Sequence, residues 1–245
     1  MPFSPDEVER YARHLVLREV GGPGQQRLAR ARVLIVGAGG VGSPAALYLA
    51  AAGVGVLGLI DEDVVSLSNL QRQVLFDTVD QGRLKVEAGA GRLRALNPHV
   101  AVETFPRRLT QANAAEVVGG FDLVLDGTDD FDTRLLVNRA CVEAAKPLVS
   151  GALGRWSGQV GVFSGRPCYQ CLVPEAPPDA ETCARVGVVG ALAGVIGTMA
   201  ALEAVKIITG AGEPLTGRLM LYDGLAGEAR TVRVASDPTC PVCGG

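Results

Sequence analysis

The sequence predicts an α/β fold: a Rossmann-like, mostly parallel twisted sheet with helices on both faces, followed by C-terminal antiparallel strands and a structural zinc site. Three observations predict it. The run Val33-Leu34-Ile35-Val36 breaks into Gly37-Ala38-Gly39-Gly40-Val41-Gly42 and resumes as the helix-like stretch from Ser43 to Ala50. Consecutive apolar, mostly β-branched residues without alternation mark a strand covered on both faces. Strand-like and helix-like segments then alternate as far as Ser150, which calls for a parallel sheet with right-handed crossovers. Finally, Cys168-x-x-Cys171 and Cys240-x-x-Cys243 supply four thiolates at metal-knuckle spacing.

The chain begins with Ser4-Pro5-Asp6-Glu7, an N-cap with proline at the first helical position and acids in the first turn. This arm carries Arg10, Tyr11, Arg13, His14 and Arg18; it reads either as a solvated basic face or as a reach toward a partner. Gly21-Gly22-Pro23-Gly24 is expected to end it, with a short helix from Gln25 to Arg30 leading into the first strand. Leu57 to Ile60 is the second strand and Arg83 to Leu96 a helix. Val100 to Thr104 is the third strand, Gln111 to Val118 a helix, and Leu123 to Leu125 the core of the fourth strand. Phe131 to Ala145 is a helix and Leu148 to Ser150 a fifth strand. Gln159 to Ser164 is strand-like, and Glu175 to Ala184, rich in proline and acid, reads as an exposed loop. Gly187 to Gly210 is a long apolar helix, and segments around Arg218 to Tyr222 and Ala229 to Val234 form a hairpin. No repeat or linker divides the 245 residues, so they are read as one domain: a helical arm at 1–30, a nucleotide-binding half at 31–151, and a partner-binding and zinc half at 152–245.

Composition excludes some function classes. Net charge is −3, only Lys85, Lys146 and Lys206 are lysines among the 23 basic residues, and aromatics are 4%, so neither a nucleic-acid surface nor an anionic membrane is favoured. The hydrophobic share of 48% supplies a large core. Met1 to Arg10 lack the apolar centre of a signal peptide. The uncharged stretch from Val186 to Leu202, with Gly190, Gly194 and Gly197, raises a membrane span; continuation through Glu203 and Lys206 favours a buried central helix. The expected location is the cytoplasm.

Strand, glycine turn and helix N-terminus leave backbone N–H groups and a positive dipole end facing one point, which is a phosphate cradle. Asp61, at the end of the next strand, is placed to accept from ribose hydroxyls. Ser68-Asn69-Leu70-Gln71-Arg72 and Lys85 belong at the same carboxyl edge of the sheet. An NAD-dependent oxidoreductase would use the glycines and Asp61 but leave Arg72 and Lys85 idle. Attack on phosphorus uses cations, because charge spreads onto its oxygens. Asp126-Gly127-Thr128-Asp129-Asp130 follows the fourth strand, with Arg134 one turn on. A carboxylate there is placed to hold Mg²⁺, and Asp129 or Asp130 also suits the N-cap of the following helix. Cys141 is a small buried residue in a helix. Cys183, beside Arg185, reads equally as a reactive thiol or an incidental loop cysteine.

Taken together, the residues resemble the ThiF/MoeB/HesA family, the bacterial relatives of ubiquitin-activating enzymes, nearest its molybdopterin-synthase adenylyltransferase branch. The matching pieces are Arg10-Tyr11-x-Arg13, Gly37-x-Gly39-Gly40-x-Gly42, Asp61, Ser68-Asn69-Leu70-x-Arg72-Gln73, Lys85-Val86-Glu87, Thr128-Asp129, both cysteine pairs and Thr182-Cys183. The resemblance implies ATP-dependent adenylation of the C-terminal glycine of a small β-grasp sulfur carrier with a Gly-Gly tail. It implies that Gly40, Asp61, residues 68–72 and Lys85 hold ATP, that Asp129 coordinates Mg²⁺, and that Arg13 reaches the triphosphate from the second subunit of a homodimer. Asp130 stands where the family usually has asparagine. No sulfurtransferase domain follows the second cysteine pair, so the resemblance implies that sulfur arrives on another protein, a cysteine desulfurase or sulfurtransferase. The cysteine matching Cys183 is a covalent link to the carrier in some relatives and dispensable in others.

Overall fold

The computed structural model describes residues 3–176 and 187–244. Its centre is an eight-stranded sheet in the order β3-β2-β1-β4-β5-β6-β7-β8. The strands are β1 (Arg32–Val36), β2 (Val56–Ile60), β3 (Ala101–Phe105), β4 (Leu123–Asp126), β5 (Leu148–Leu153), β6 (Ser157–Phe163), β7 (Arg218–Asp223) and β8 (Glu228–Arg233). The five from β3 to β5 run parallel, while β5 to β8 are joined antiparallel. Order reverses between β1 and β4, which creates the crevice where ligands enter doubly wound sheets. The expected fold class is the one observed.

Alternate side chains of each buried strand serve two cores. Val33, Ile35, Leu57 and Leu59 face one core, together with Leu125 and Val149. Leu34, Val36, Ile60, Val124 and Leu148 face the other. Helices α4 (Gly42–Ala52), α5 (Lys85–Leu96) and α9 (Gly190–Thr209) cover the first; α6 (Ala114–Gly119) and α7 (Phe131–Glu143) cover the second. Gly58 stands in β2 because a Cβ there would fall 2.3 Å from Phe121 Cζ; its missing side chain leaves room for the ring.

α9 is the one helix among the described residues long and apolar enough to cross a membrane. It lies instead against α4, β5, β6 and α3 (Gly21–Arg30), burying Leu192, Ile196, Ala200 and Ala204. A Cβ on Gly197 would sit 2.4 Å from Val41 O, so that glycine sets how closely α9 and α4 approach. Buried Glu203 accepts from Lys206 Nζ at 2.6 Å and from the Leu215 amide at 2.7 Å, tying the helix end to the lead-in of β7.

The N-terminal arm forms α1 (Pro5–Arg10) and α2 (Ala12–Leu15), with the Ser4–Glu7 capping box complete. Gly21-Gly22-Pro23-Gly24 does not break the chain: it forms the first turn of α3. Pro23 is tolerated there because first-turn amides have no intrahelical partner, and Gly24 lets the turn pass Thr209 and Val20. The short helix α8 (Tyr169–Leu172) begins just after Cys168. Most of the proline-rich stretch, with Cys183, lies outside the described residues.

Candidate active site

A cleft of about 520 Å³ opens at the carboxyl edge of β1, β2 and β4. Its floor is the turn between β1 and α4. Gly37 has φ +84° and donates from N to Ile60 O at 2.9 Å. A Cβ on Gly42 would lie 2.0 Å from Gly37 O, so the chain closes tightly only without one. Gly39 has nothing nearer its absent Cβ than Gln73 Nε2 at 3.7 Å and keeps that wall open. The α4 N-terminus therefore presents backbone to the cleft with its positive dipole end.

Asp61, at the tip of β2, is locked by backbone: its carboxylate accepts from the Ala38 amide at 2.8 Å and the Asp63 amide at 2.9 Å. Burial pushes its pKa above the usual carboxylate range, against the pull of Lys85. Lys85 begins α5 with a side chain only 4% exposed; its Nζ lies 2.7 Å from Asp63 Oδ2 and 3.9 Å from Asp61 Oδ2. Arg72 donates to Asn69 Oδ1 at 3.1 Å and Ser68 O at 3.2 Å, which aims its guanidinium along the cleft wall. On the β4 side, Asp126 Oδ1 accepts from Thr128 N at 3.0 Å and Thr128 Oγ1 at 2.7 Å, shaping the turn that carries Asp129.

Of the residues expected in the site, Gly37, Gly39, Gly40, Asp61, Asn69, Arg72, Lys85, Asp129 and Asp130 line this one cleft. Gly42, Ser68, Leu70 and Gln71 lie off its walls. Gly42 serves packing and Ser68 orients Arg72 through its carbonyl. Leu70 packs on the core, and Gln71 lies so close to Gly190 that a Cβ there would fall 2.1 Å from its carbonyl oxygen. Arg13 is exposed on α2, outside the cleft lining of its own chain. Asp130 is the N-cap of α7, accepting from Thr133 N at 2.8 Å, and Arg108 Nη2 approaches the same oxygen at 3.3 Å. Gln73, named above among the family's matching residues, also lines the cleft, as do Asp63, Arg108 and Leu109, which escaped the sequence reading. The signal for Arg108 and Leu109 was their place just past β3, equivalent to that of Asp61 past β2.

The four cysteine Sγ atoms of Cys168, Cys171, Cys240 and Cys243 all lie within 4.8 Å of one another, with Cys168–Cys240 at 3.7 Å and Cys171–Cys243 at 3.4 Å. These separations are too long for disulfides, whose S–S bond is about 2.05 Å. They approach the edge of about 3.8 Å that Zn–S bonds of about 2.3 Å give a tetrahedron. Burial opposes the Cys240 thiolate, but the Cys243 and Val242 amides together with the Cys168 and Cys243 thiols bring its pKa down to about 7, while burial and neighbouring thiols push Cys168 up and Cys243 up to about 12. The four-sulfur donor set and its geometry fit zinc, with no ligand position left for substrate. Cys141, by contrast, is pushed up by burial and is inert packing.

Fold and cleft together define a doubly wound α/β protein with a polar pocket at its switch point and a tetrathiolate knuckle pinning its tail. The ThiF family model matches residues 11–242, and the chain belongs to that family. It is 48% identical to the sulfur carrier protein adenylyltransferase of Thermus thermophilus, across all of this chain and 93% of that one. It is 46% identical to the SAMP-activating enzyme E1 of Haloferax volcanii, over 97% of this chain and 89% of the relative. It is 48% identical to the mouse adenylyltransferase and sulfurtransferase MOCS3, of which it spans only 54%. Among solved structures, selenomethionine PaaA superposes with TM-score 0.82 at 27% identity, covering 95% of this chain and 75% of that one. E. coli MccB with MccA-N7isoASN gives 0.85 at 23%, covering 99% and 76%, and speaks for the fold alone.

Proposed function

We propose that this chain is an ATP-dependent adenylyltransferase that activates the C-terminal glycine of a small β-grasp, ubiquitin-like sulfur carrier. The observation that carries the reading is the convergence of the glycine turn, Asp61, Asn69, Arg72, Lys85 and Asp129 on one cleft. The named relatives, adenylyltransferases of sulfur carriers, support it. A second cavity of about 670 Å³ between β5, β6, β7 and β8 shares Ala152 and Leu153 with the cleft. It offers an extended Gly-Gly tail a route to the nucleotide.

In this reading the glycine amides and α4 dipole receive phosphates, and Asp61 receives the ribose hydroxyls. The carrier's carboxylate oxygen attacks the α-phosphorus, the bond to the bridging oxygen breaks, and pyrophosphate leaves with the electron pair. The product is an acyl-adenylate. No general base is needed, because the carboxylate is already ionised. Arg72 and Lys85 stabilise charge spreading over the phosphoryl oxygens, and fixed alignment supplies the rest. Arg13 joins them from the second subunit of a homodimer. Asp129 would hold Mg²⁺, whose charge would offset that of the pyrophosphate. The cysteine cluster holds zinc in a structural role. Residues 31–151 serve the nucleotide and 152–245 the carrier, within one adenylating domain of a soluble, cytoplasmic enzyme. Sulfur then comes from a desulfurase or sulfurtransferase, and the carrier is that of molybdenum-cofactor or thiamine biosynthesis.

Incubating the protein with ATP and each candidate carrier, and weighing the products intact, tests this. Gain of one adenylyl group on a carrier supports the reading; no gain on any of them contradicts it. A conjugate lost in Cys183→Ala assigns that cysteine a covalent role.

A further inference from the structure

α7 carries Arg134 and Asn138 four residues apart, hence on one face, one turn apart. Arg134 reaches toward the cleft. Its guanidinium donates to Thr128 O and, at 2.8 Å, to Gly151 O; it also lies 3.3 Å from Ser150 Oγ and 3.8 Å from Asp126 Oδ2. It thereby grips the turn bearing Asp129 and the end of β5. Asn138 reaches the other way. Its Nδ2 donates to Cys168 Sγ at 3.5 Å, and its Oδ1 accepts from Tyr169 N at 2.8 Å. Tyr169 follows Cys168 directly, is 2% exposed, and stands edge-on to Phe163 with centroids 5.5 Å apart. Its hydroxyl lies near enough to the Arg134 guanidinium for that charge to draw the phenol down against burial. Two buried routes thus join the tetrathiolate knuckle to the Arg134 side of the cleft, one through α7 and one through the phenol.

We infer that Asn138 and Tyr169 are positioning residues that set Arg134 from the cysteine cluster, so that metal held by the four thiolates and nucleotide held at the Thr128–Asp129 turn strengthen each other's binding. The inference rests on the adenylation reading for the nucleotide's place. Arg134, Asn138, Cys168 and Tyr169 are all buried, where a hydrogen bond is strong and an unmatched one costly. A shift of the knuckle therefore moves Arg134 rather than being absorbed by water. Coupling between two binding sites is reciprocal: the factor by which nucleotide tightens zinc is the factor by which zinc tightens nucleotide.

The test is an equilibrium zinc competition against a chelator on the full chain, with and without saturating ATP. Magnesium is kept in excess so that the nucleotide does not sequester zinc. The expected result is zinc held roughly fivefold more tightly, or better, with ATP present. Tyr169→Phe, which keeps the ring contact and removes only the hydroxyl, is expected to lose most of that gain. It should also weaken ATP binding by the same factor, with zinc stoichiometry unchanged and the protein still folded at the assay temperature. Zinc affinity that is the same with and without ATP, in wild type that binds ATP normally, overturns the coupling and leaves adenylation standing. So does a folded Tyr169→Phe that keeps both the ATP affinity and the gain. Wild type that binds no ATP overturns both readings, and the wild-type comparison decides the matter even if the variant fails to fold.

Discussion

Lys85 Nζ sits 2.7 Å from Asp63 Oδ2 and 3.9 Å from Asp61 Oδ2, with its own side chain almost wholly buried. A buried ammonium is stable only among such partners. The carboxylates hold it in place at the mouth of the cleft. Lys85→Ala should lower carrier-dependent pyrophosphate exchange by about a hundredfold or more, the scale of losing one oxyanion donor. It should also push the Asp61 pKa higher still, by removing the one cation that opposes burial there. Exchange rates and carboxyl titration by NMR check both.

Asp61 carries a pH prediction. Its folded pKa lies above the usual value for an aspartate, because burial favours the neutral form. The folded chain therefore binds this proton more tightly than the unfolded chain does. The resulting stability is present below the unfolded value and is lost as pH rises through the folded one. Urea unfolding of wild type should show that decline, and Asp61→Asn should flatten it. The same variant should weaken ATP binding about tenfold or more by losing ribose acceptors, without lowering stability at neutral pH.

At the N-cap of α7, Asp130 Oδ1 accepts from Thr133 N at 2.8 Å. Asparagine caps as well as aspartate, so Asp130→Asn should change stability by only a few tenths of a kcal/mol, whereas Asp130→Ala should cost about 1 kcal/mol. The pair with Arg108 is half-exposed and adds little. Chemical denaturation of both variants separates cap from ion pair.

The two glycines Gly39 and Gly42 should behave oppositely. Gly42→Ala forces a Cβ onto Gly37 O at 2.0 Å. Backbone has no room to yield, so a loss of about 1–3 kcal/mol is expected. Gly39→Ala meets nothing within 3.7 Å; it should keep the melting midpoint and lose ATP affinity, since its methyl projects where phosphate approaches.

Cys240→Ser removes one of four thiolates. The expected result is loss of zinc by metal analysis and a lower melting midpoint, because metal binding energy is folding energy. The same fall should follow exhaustive chelation of wild type.

Much of this was legible in the sequence, because one pattern implied the next. The unalternating run Val33–Val36 required cover on both faces, and its two cores bear that out. Cysteine spacing foretold a cluster that depends on pairing residues some seventy positions apart. The reading failed where tertiary contacts overrule local signals. Gly21–Gly24 looks like a break but starts a helix, because α3 is held by packing on Thr209 and Val20. Gly42 looks like part of the phosphate wall but serves turn closure. Arg108 was missed because a place just past β3 marks the cleft only once the sheet order is known; that order brings it beside Asp130.

Exchange of labelled pyrophosphate into ATP, with and without a carrier ending in Gly-Gly, tests the central claim most directly. The account predicts exchange only when the carrier is present, abolished by Asp129→Ala and restored by mixing no other enzyme. Absence of exchange, together with a carrier-independent change in NADH absorbance, would contradict it and hand the cleft to a nicotinamide.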